Sequence, residues 1–407
     1  MINTQLKFHI CQLGEKKPIW NFVLFHSVNE IIEADWNQVL NNSNLYLSLE
    51  YLSGVEESMS EEMKFCYSIV YDENKEPVLI QSFQIVQFED KRNTHANAFL
   101  NNLKGRFRNT NGYATDILVC GNVFSDGENG LVWKKGVDED SLMKSASEVA
   151  KKVSKLNEHG ISVSLILFKE FWPQSQGVSK HLSNVGYQEF NVDVNMVLKI
   201  HPQWSSMEDY LDSMKTKYRT RAKGVFKKSK EVEIKSLNTD EIFEYRHRIQ
   251  ELFNNVQEKS EYQMGTISSH LFVKCKENLQ GKFLLKGAFY KGALIGFSTS
   301  FVNGEQLEAN YVGMDYQYNK NFAVYQYLLY DLVQESIILK LKELQLGRTS
   351  ELVKSSMGAK PVSMILYGKH KSNITNIVVK AILRKISPAK FELRKPFKEN
   401  FEKLWTH

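Results

Sequence analysis

The chain has 407 residues, 42% of them hydrophobic and 24% charged, and a net charge of +5. That length predicts two or three domains rather than one core, and the balance excludes a disordered or fibrous chain. No run approaches the ~20 apolar residues of a membrane-spanning helix, and the start lacks the basic flank and apolar block of a secretory leader. The cysteines (Cys11, Cys66, Cys120, Cys275) lie far apart and the histidines are scattered without metal-ligand spacing. The expectation is reduced thiols, a cytoplasmic location and no metal.

In chain order, an amphipathic helical region near 28–42 precedes "KFCYSIVYD" (64–72), a strand rich in aromatic and β-branched residues. The polar turn "ENKEP" returns it as "VLIQSFQIVQF" (78–88), a hairpin by turn chemistry and propensity. A strand "DILVCGNVF" (116–124), a helix over 139–156 and a strand "ISVSLILF" (161–168) follow. A short helix ending at Gly186 then leads to a last strand, "YQEFNVDVNMVLKI" (187–200).

The second half repeats that order loosely. Its helical region is 239–258, and its hairpin joins "KFLLKGAFY" (282–290) to "ALIGFSTSFV" (293–302) through Lys291-Gly292. "LEANYVGM" (307–314), a helix over 322–341, a strand "ELQLG" (343–347), a short helix ending at Gly358 and "PVSMILY" (361–367) complete it. Before the second half comes "YLDSMKTKYRTRAKGVFKKSK" (210–230), whose stretch from Lys215 to Lys230 holds eight Lys/Arg and no acid. From Lys369 to the end, ten Lys/Arg face three Glu. Both basic regions suit an anionic surface or a solvated helix face.

This doubled order resembles the GNAT acyltransferase fold in the tandem arrangement of the Fem-type peptidyl transferases. The motifs of 210–370, "YNKNFAVYQYLLYDLVQESI" and "LQLGRTSELVKSSMGAKPV" among them, resemble a bacterial group of N-acyltransferases. The resemblance implies an α/β (α+β) class: two GNAT-like domains, each a mixed, mostly antiparallel sheet flanked by helices. The expected boundaries are a supporting domain 1–205, a catalytic domain 206–370 led by the basic helix 210–230, and a basic amphipathic tail 371–407. Relatives that use acetyl-CoA carry a glycine-rich turn after their fourth strand, where helix N–H groups cradle the pyrophosphate. Here "DYQYNKNFAVYQ" (315–326) has no glycine. The implied co-substrate is a carrier-bound acyl donor, on acyl carrier protein, CoA or tRNA, with no tightly bound cofactor.

Acyl transfer to an amine requires a base, a stabilised oxyanion and a protonated leaving group. In "QLEANYVGM", alternation puts Glu308 and Asn310 on one face and Ala309 and Tyr311 on the other. Glu308 reads either as a general base whose pKa burial raises, with Asn310 beside it, or as an edge carboxylate facing water. Tyr318, Asn319 and Tyr325 stand where donor contacts would replace the missing glycines; Tyr325 also falls on a core stripe. Tyr311 on the strand, and Thr349 and Ser350 on the later turn, are further candidates for binding substrate or donor. In "LQLGRTSELVK", Gly347 permits a tight exit from the strand, and Thr349 or Ser350 suits a helix N-cap. Arg348 and Lys354 read as anchors for an anionic group or as surface ion pairs.

In the tail, "NITNIVVKAILRKI" (373–386) gathers apolar residues on one side of a helix, flanked by Lys380, Arg384 and Lys385. Such a helix lies on an anionic bilayer or docks on the protein. The leading expectation is an N-acyltransferase acting on an amine acceptor, such as a lipid precursor, at the periphery of the inner membrane. The alternatives are an aminoacyl-tRNA-dependent transferase acting on a peptidoglycan precursor and a catalytically silent lipid or glycan binder.

Overall fold

The computed structural model of the chain describes residues 20–86, 116–156, 163–259, 267–388 and 391–402. Cys11 and the expected strand ends 87–88 and 161–162 lie outside these residues. The chain forms two compact units, Met1–Val192 with Met364–Ser387, and Asp193–Ser363 with Pro388–His407.

The first strands are β1 (Asn21–Phe25), β2 (Met63–Tyr71), β3 (Pro77–Val86), β4 (Asp116–Cys120), β5 (Leu131–Trp133), β6 (Val163–Phe171) and β7 (Gln188–Phe190). Those that follow are β8 (Val194–Lys199), β9 (Glu233–Ser236), β10 (Phe283–Tyr290), β11 (Ala293–Asn303), β12 (Gln306–Met314), β13 (Glu343–Gln345), β14 (Lys360–Ser363) and β15 (Ile365–His370). The first unit's sheet runs β1-β2-β3-β4-β6-β15-β7, with β5 on β3; the second runs β14-β8-β13-β12-β11-β10-β9. Among the described residues each sheet contains one parallel pair, β4/β6 and β12/β13; the other pairs are antiparallel.

Helices cover both sheets where sequence period demands it. Asp138 caps Glu139–Val153 by accepting from the Ser141 N–H at 2.9 Å, and the helix buries Leu142, Met143, Ala146, Val149, Ala150 and Val153 at three- and four-residue spacing. Asn238 and Glu241 form a reciprocal capping box at the start of Thr239–Gln257. The second hairpin turns on Lys291 (φ 49°) and Gly292 (φ 78°), two positive values that match strand twist.

The units do not break at 205/206 and 370/371. Each expected last strand divides, and its second part joins the other sheet. The 187–200 segment becomes β7 in the first sheet and β8 in the second, between β13 and β14. The 361–367 segment becomes β14 in the second sheet and β15 in the first, between β6 and β7. At the first break Asp193 accepts a hydrogen bond from the adjacent Val194 N–H, local bonding that competes with a continuous ladder. The expected tail divides too. Helix Asn373–Leu383 packs in the first unit, whereas Phe397, 2% exposed, belongs to the second unit's core beside Trp204 and Tyr210. That contact also splits the expected 210–230 helix into Met207–Ser213 and Thr216–Lys228, because Met214 is extended and bridges Phe397.

Candidate active site

In the second unit, β12 and β13 pair at Gln306–Glu343, Leu307–Leu344 and Glu308–Gln345 only. Beyond Gln345 the chain turns to β8 instead: the Leu346 N–H donates to the Met196 carbonyl, and the Met196 N–H to that of Gly347. β12 runs on to Met314 with β11 on its other side. From Ala309 onward one edge of β12 therefore has no paired strand among the described residues. A bulge lies at the same point. Ser300 faces Ala309 and Ser298 faces Val312, so Asn310 and Tyr311 together oppose Thr299, whose Oγ1 accepts from the Tyr311 N–H at 3.0 Å. An extra residue bends a strand and re-aims its backbone groups. Parted strands, a bulge and a buried carboxylate, Glu308 at 7% exposure, thus coincide.

The bulge corrects the expected alternation. Ala309 packs with the cluster around Leu307 and Leu329, while Tyr311 packs against Phe253 and Phe272, at 5.7 Å between ring centres in each case. Those two neighbours of β12 do not share a face, since the inserted residue shifts the register by one. Asn310 sits on the bulge itself. Glu308 does not face water as an edge residue: its Oε1 accepts from the Asn303 Nδ2 at 2.8 Å.

Beside Glu308 lies a row of buried amides that the sequence reading missed. Gln345, opposite Glu308, donates to Gln306 Oε1 at 2.6 Å and accepts from Asn195 Nδ2 at 3.4 Å. Asn195 is 1% exposed, and its Oδ1 accepts no hydrogen bond among the described residues. An amide in a mostly apolar strand, "VNMVLK", was the available signal, the same one that marked Glu308.

After β12 the glycine-free turn is built from a short helix, Tyr316–Phe322, and a left-handed Ala323 (φ 51°) before helix Val324–Ile338. Asn319 Oδ1 accepts the Tyr325 N–H at 3.0 Å, so this side chain meets a helix-start donor that the expectation left for a phosphate. Tyr318 packs with Tyr290 and Phe322. Burial pushes the Tyr325 phenol up, and its hydroxyl meets the Ser350 side chain. Tyr318, Asn319 and Tyr325 thus shape the turn from inside.

The exit from β13 is strained. Gly347 (φ 71°), Thr349 (φ 62°) and Ser350 (φ 53°) all have positive φ. For a β-branched threonine this costs about 1–3 kcal/mol, and such strain clusters at functional sites. Ser350 does stand at the N-cap of Glu351–Ser356, but its left-handed backbone gives no side-chain cap bond. Lys354 has a different task from the one expected. It is 3% exposed, and its Nζ donates to the carbonyls of Gly347, at 3.1 Å, and Arg348, closing the turn from beneath. Arg348 is partly exposed, and its backbone carbonyl is one of the two oxygens that Lys354 holds.

The same unit holds a cavity of about 540 Å³. Tyr218, Arg221 and Lys228 of helix Thr216–Lys228 line it, with Gln326, Tyr330 and Arg394. Its lining contains these cations and no carboxylate. Among the described residues, no group of three His, Cys, Asp or Glu is placed to hold a metal, and no helix is long and apolar enough to cross a membrane.

No protein family profile matches the chain, and no curated protein does. Solved structures do. FemX superposes with a TM-score of 0.53 at 10% identity, covering 88% of this chain and 99% of its own. A tandem GNAT protein from the clavulanic acid biosynthesis pathway reaches 0.48 at 10%, over 86% of this chain and 98% of that one. The C-terminal domain of a putative lysylphosphatidylglycerol synthetase from Agrobacterium fabrum reaches 0.47 at 8%, over 88% and 98%. The FemX match supports a shared fold, and the mixed sheets with their single parallel pairs agree with the tandem GNAT-like architecture expected from sequence.

Proposed function

We propose that the chain is an N-acyltransferase whose chemistry takes place where β12 and β13 part. The observation that carries this reading is the coincidence, at Glu308, of the last β12–β13 pair, the β12 bulge and a buried carboxylate. In this reading the acyl carbonyl lies along the open edge of β12, where a strand N–H freed from pairing stabilises the developing oxyanion. Glu308 takes the proton of the attacking amine, a carbon–nitrogen bond forms, and the bond from carbon to sulfur or oxygen breaks. The leaving group then takes up a proton. Asn195 and Gln345 offer amide oxygens to the acceptor's ammonium as it approaches. Arg348, on its strained turn, binds an anionic group of donor or acceptor. Asn310 and Tyr311 set the strand's bend.

The donor in this reading is an acyl group on acyl carrier protein or CoA, and the acceptor an amine-bearing lipid precursor near the inner membrane. The cavity favours one alternative specifically. Arg221 and Lys228 on the basic helix, with Arg394, suit a polyphosphate or a nucleic-acid backbone, which keeps an aminoacyl-tRNA donor as the second reading. The experiment is transfer of a labelled acyl or aminoacyl group by the purified full chain from acyl-CoA, acyl carrier protein or tRNA to amines of a lysate. Transfer that disappears in Glu308→Gln supports the reading. No transfer from any of the three donors contradicts it and leaves a silent binding protein.

A further inference from the structure

Helix Asn373–Leu383 uses its two faces differently. Val379, Ile382 and Leu383 are buried in the first unit with Leu366 and Phe190. Asn376 fixes the helix further: its side chain accepts the His370 N–H and donates to the Gly186 carbonyl. The opposite face is bare, with Ile374 82%, Ile377 72% and Val378 52% exposed. Together with exposed Ala381 these residues follow three- and four-residue spacing and form one stripe. Isolated exposed apolar side chains are ordinary, but a stripe of them on a helix already docked by its other face is not. Exposed Lys371 stands at one end of the stripe, exposed Arg384 and Lys385 at the other, and partly exposed Lys380 beside it. No Asp or Glu occurs between 371 and 388.

We infer that this face docks on a bilayer bearing anionic headgroups, with Ile374, Ile377 and Val378 at the headgroup–acyl boundary and the four cations among the phosphates. A helix in the interface plane needs an apolar stripe with basic flanks and no shaped partner surface, and this face supplies both. A second copy of the chain is a poorer occupant. A two-fold contact sets the same helix face against itself, and this helix has cations with no carboxylate of its own to meet them. The surface stands independently of the acyl-transfer reading, and its test uses no catalysis.

The test is flotation of the full chain with vesicles of phosphatidylcholine alone or enriched in phosphatidylglycerol, with the wild type, Ile374→Ser/Ile377→Ser and Lys371→Gln/Lys385→Gln. All four positions are exposed, so the melting temperature serves as a control for an unchanged fold. The expected result is binding to the anionic vesicles only, weakening as salt is added. The double serine variant should lose about ten-fold or more, from apolar area no longer buried. The double glutamine variant should lose about five-fold per cation. Equal or absent binding to both vesicle types, or variants that bind like the wild type, overturns the inference. So does a solution dimer that Ile374→Ser/Ile377→Ser dissociates, because the occupant is then a second copy.

Discussion

The two parallel strand pairs of this chain begin alike and end differently. In the first unit, β4 pairs with β6 from Asp116 to Cys120, and Ile117–Cys120 are also held by β3 on the other side. Where that pair would open, the chain fills the space. Lys169, 1% exposed, donates to the carbonyls of Asn122 and Ser125 and pairs with Glu170 at 3.3 Å. A β-carbon at Gly121 would lie 2.6 Å from that of Lys169. In the second unit the pair parts at Glu308, and the lysine after the parting strand, Lys354, donates to the Gly347 and Arg348 carbonyls of the turn that leaves the sheet. The same topology thus gives one sealed pair and one open pair. In the proposed reading the repeat keeps the architecture and the chemistry sits at the open pair.

The largest expected effect separates the two pairs by activity. Glu308→Gln keeps the size of the side chain and its bond with Asn303, so the transfer rate should fall ~10²–10⁴-fold with the melting temperature unchanged. A variant as active as the wild type would place the base elsewhere. Lys169→Met does the reverse to the sealed pair. It leaves Glu170, 0% exposed, without its buried partner charge, at a cost of about 3–5 kcal/mol. Urea melts should show that loss, while molecules that remain folded transfer at the wild-type rate.

Arg348→Lys keeps the charge on the strained turn and removes the planar fork. A lost charge-assisted bond of roughly 1.5–3 kcal/mol should raise the KM for one substrate at constant thermal stability. Lowered stability with intact kinetics would make Arg348 a structural ion-pair partner. The last effect concerns pH and the stability of the first unit alone. Burial pushes the Glu128 carboxyl from 4.5 up to about 7. With the folded pKa above the unfolded one, its contribution is fully present below 4.5 and is lost as pH rises through about 7. Glu128→Gln should therefore flatten the fall in melting temperature across that window without altering the pH–rate profile. A changed rate profile would tie the first unit to the chemistry.

Much of this was legible in the sequence, for local reasons. The Lys291-Gly292 turn, the alternating helices and strands, and Gly347 at the strand exit each follow from backbone preferences of the residues present. Glu308 was visible as a lone carboxylate in an apolar strand. The exchange of β8 and β15 between sheets was not, because "VNMVLK" and "ILYGKH" suit a strand of either sheet and only tertiary packing chooses. The bulge was equally hidden, as no glycine marks Asn310 or Tyr311. Lys354 misled because a lysine near an exit turn reads as exposed, whereas the carbonyls it serves become a cluster only after the chain has turned. The cavity needed Arg394, which lies far along the chain from Arg221 and Lys228.

Hydrogen exchange of the full chain, read strand by strand, tests the central contrast most directly. The amides of Ile117–Cys120 should be slow to exchange with or without ligand, since strands flank them on both sides. Those of Ala309–Val312 should exchange faster and slow down when a non-reactive thioether analogue of the acyl donor is added. Protection that appears on β4 and β6, or a β12 that the analogue leaves unchanged, would contradict the assignment of the open pair as the site of transfer.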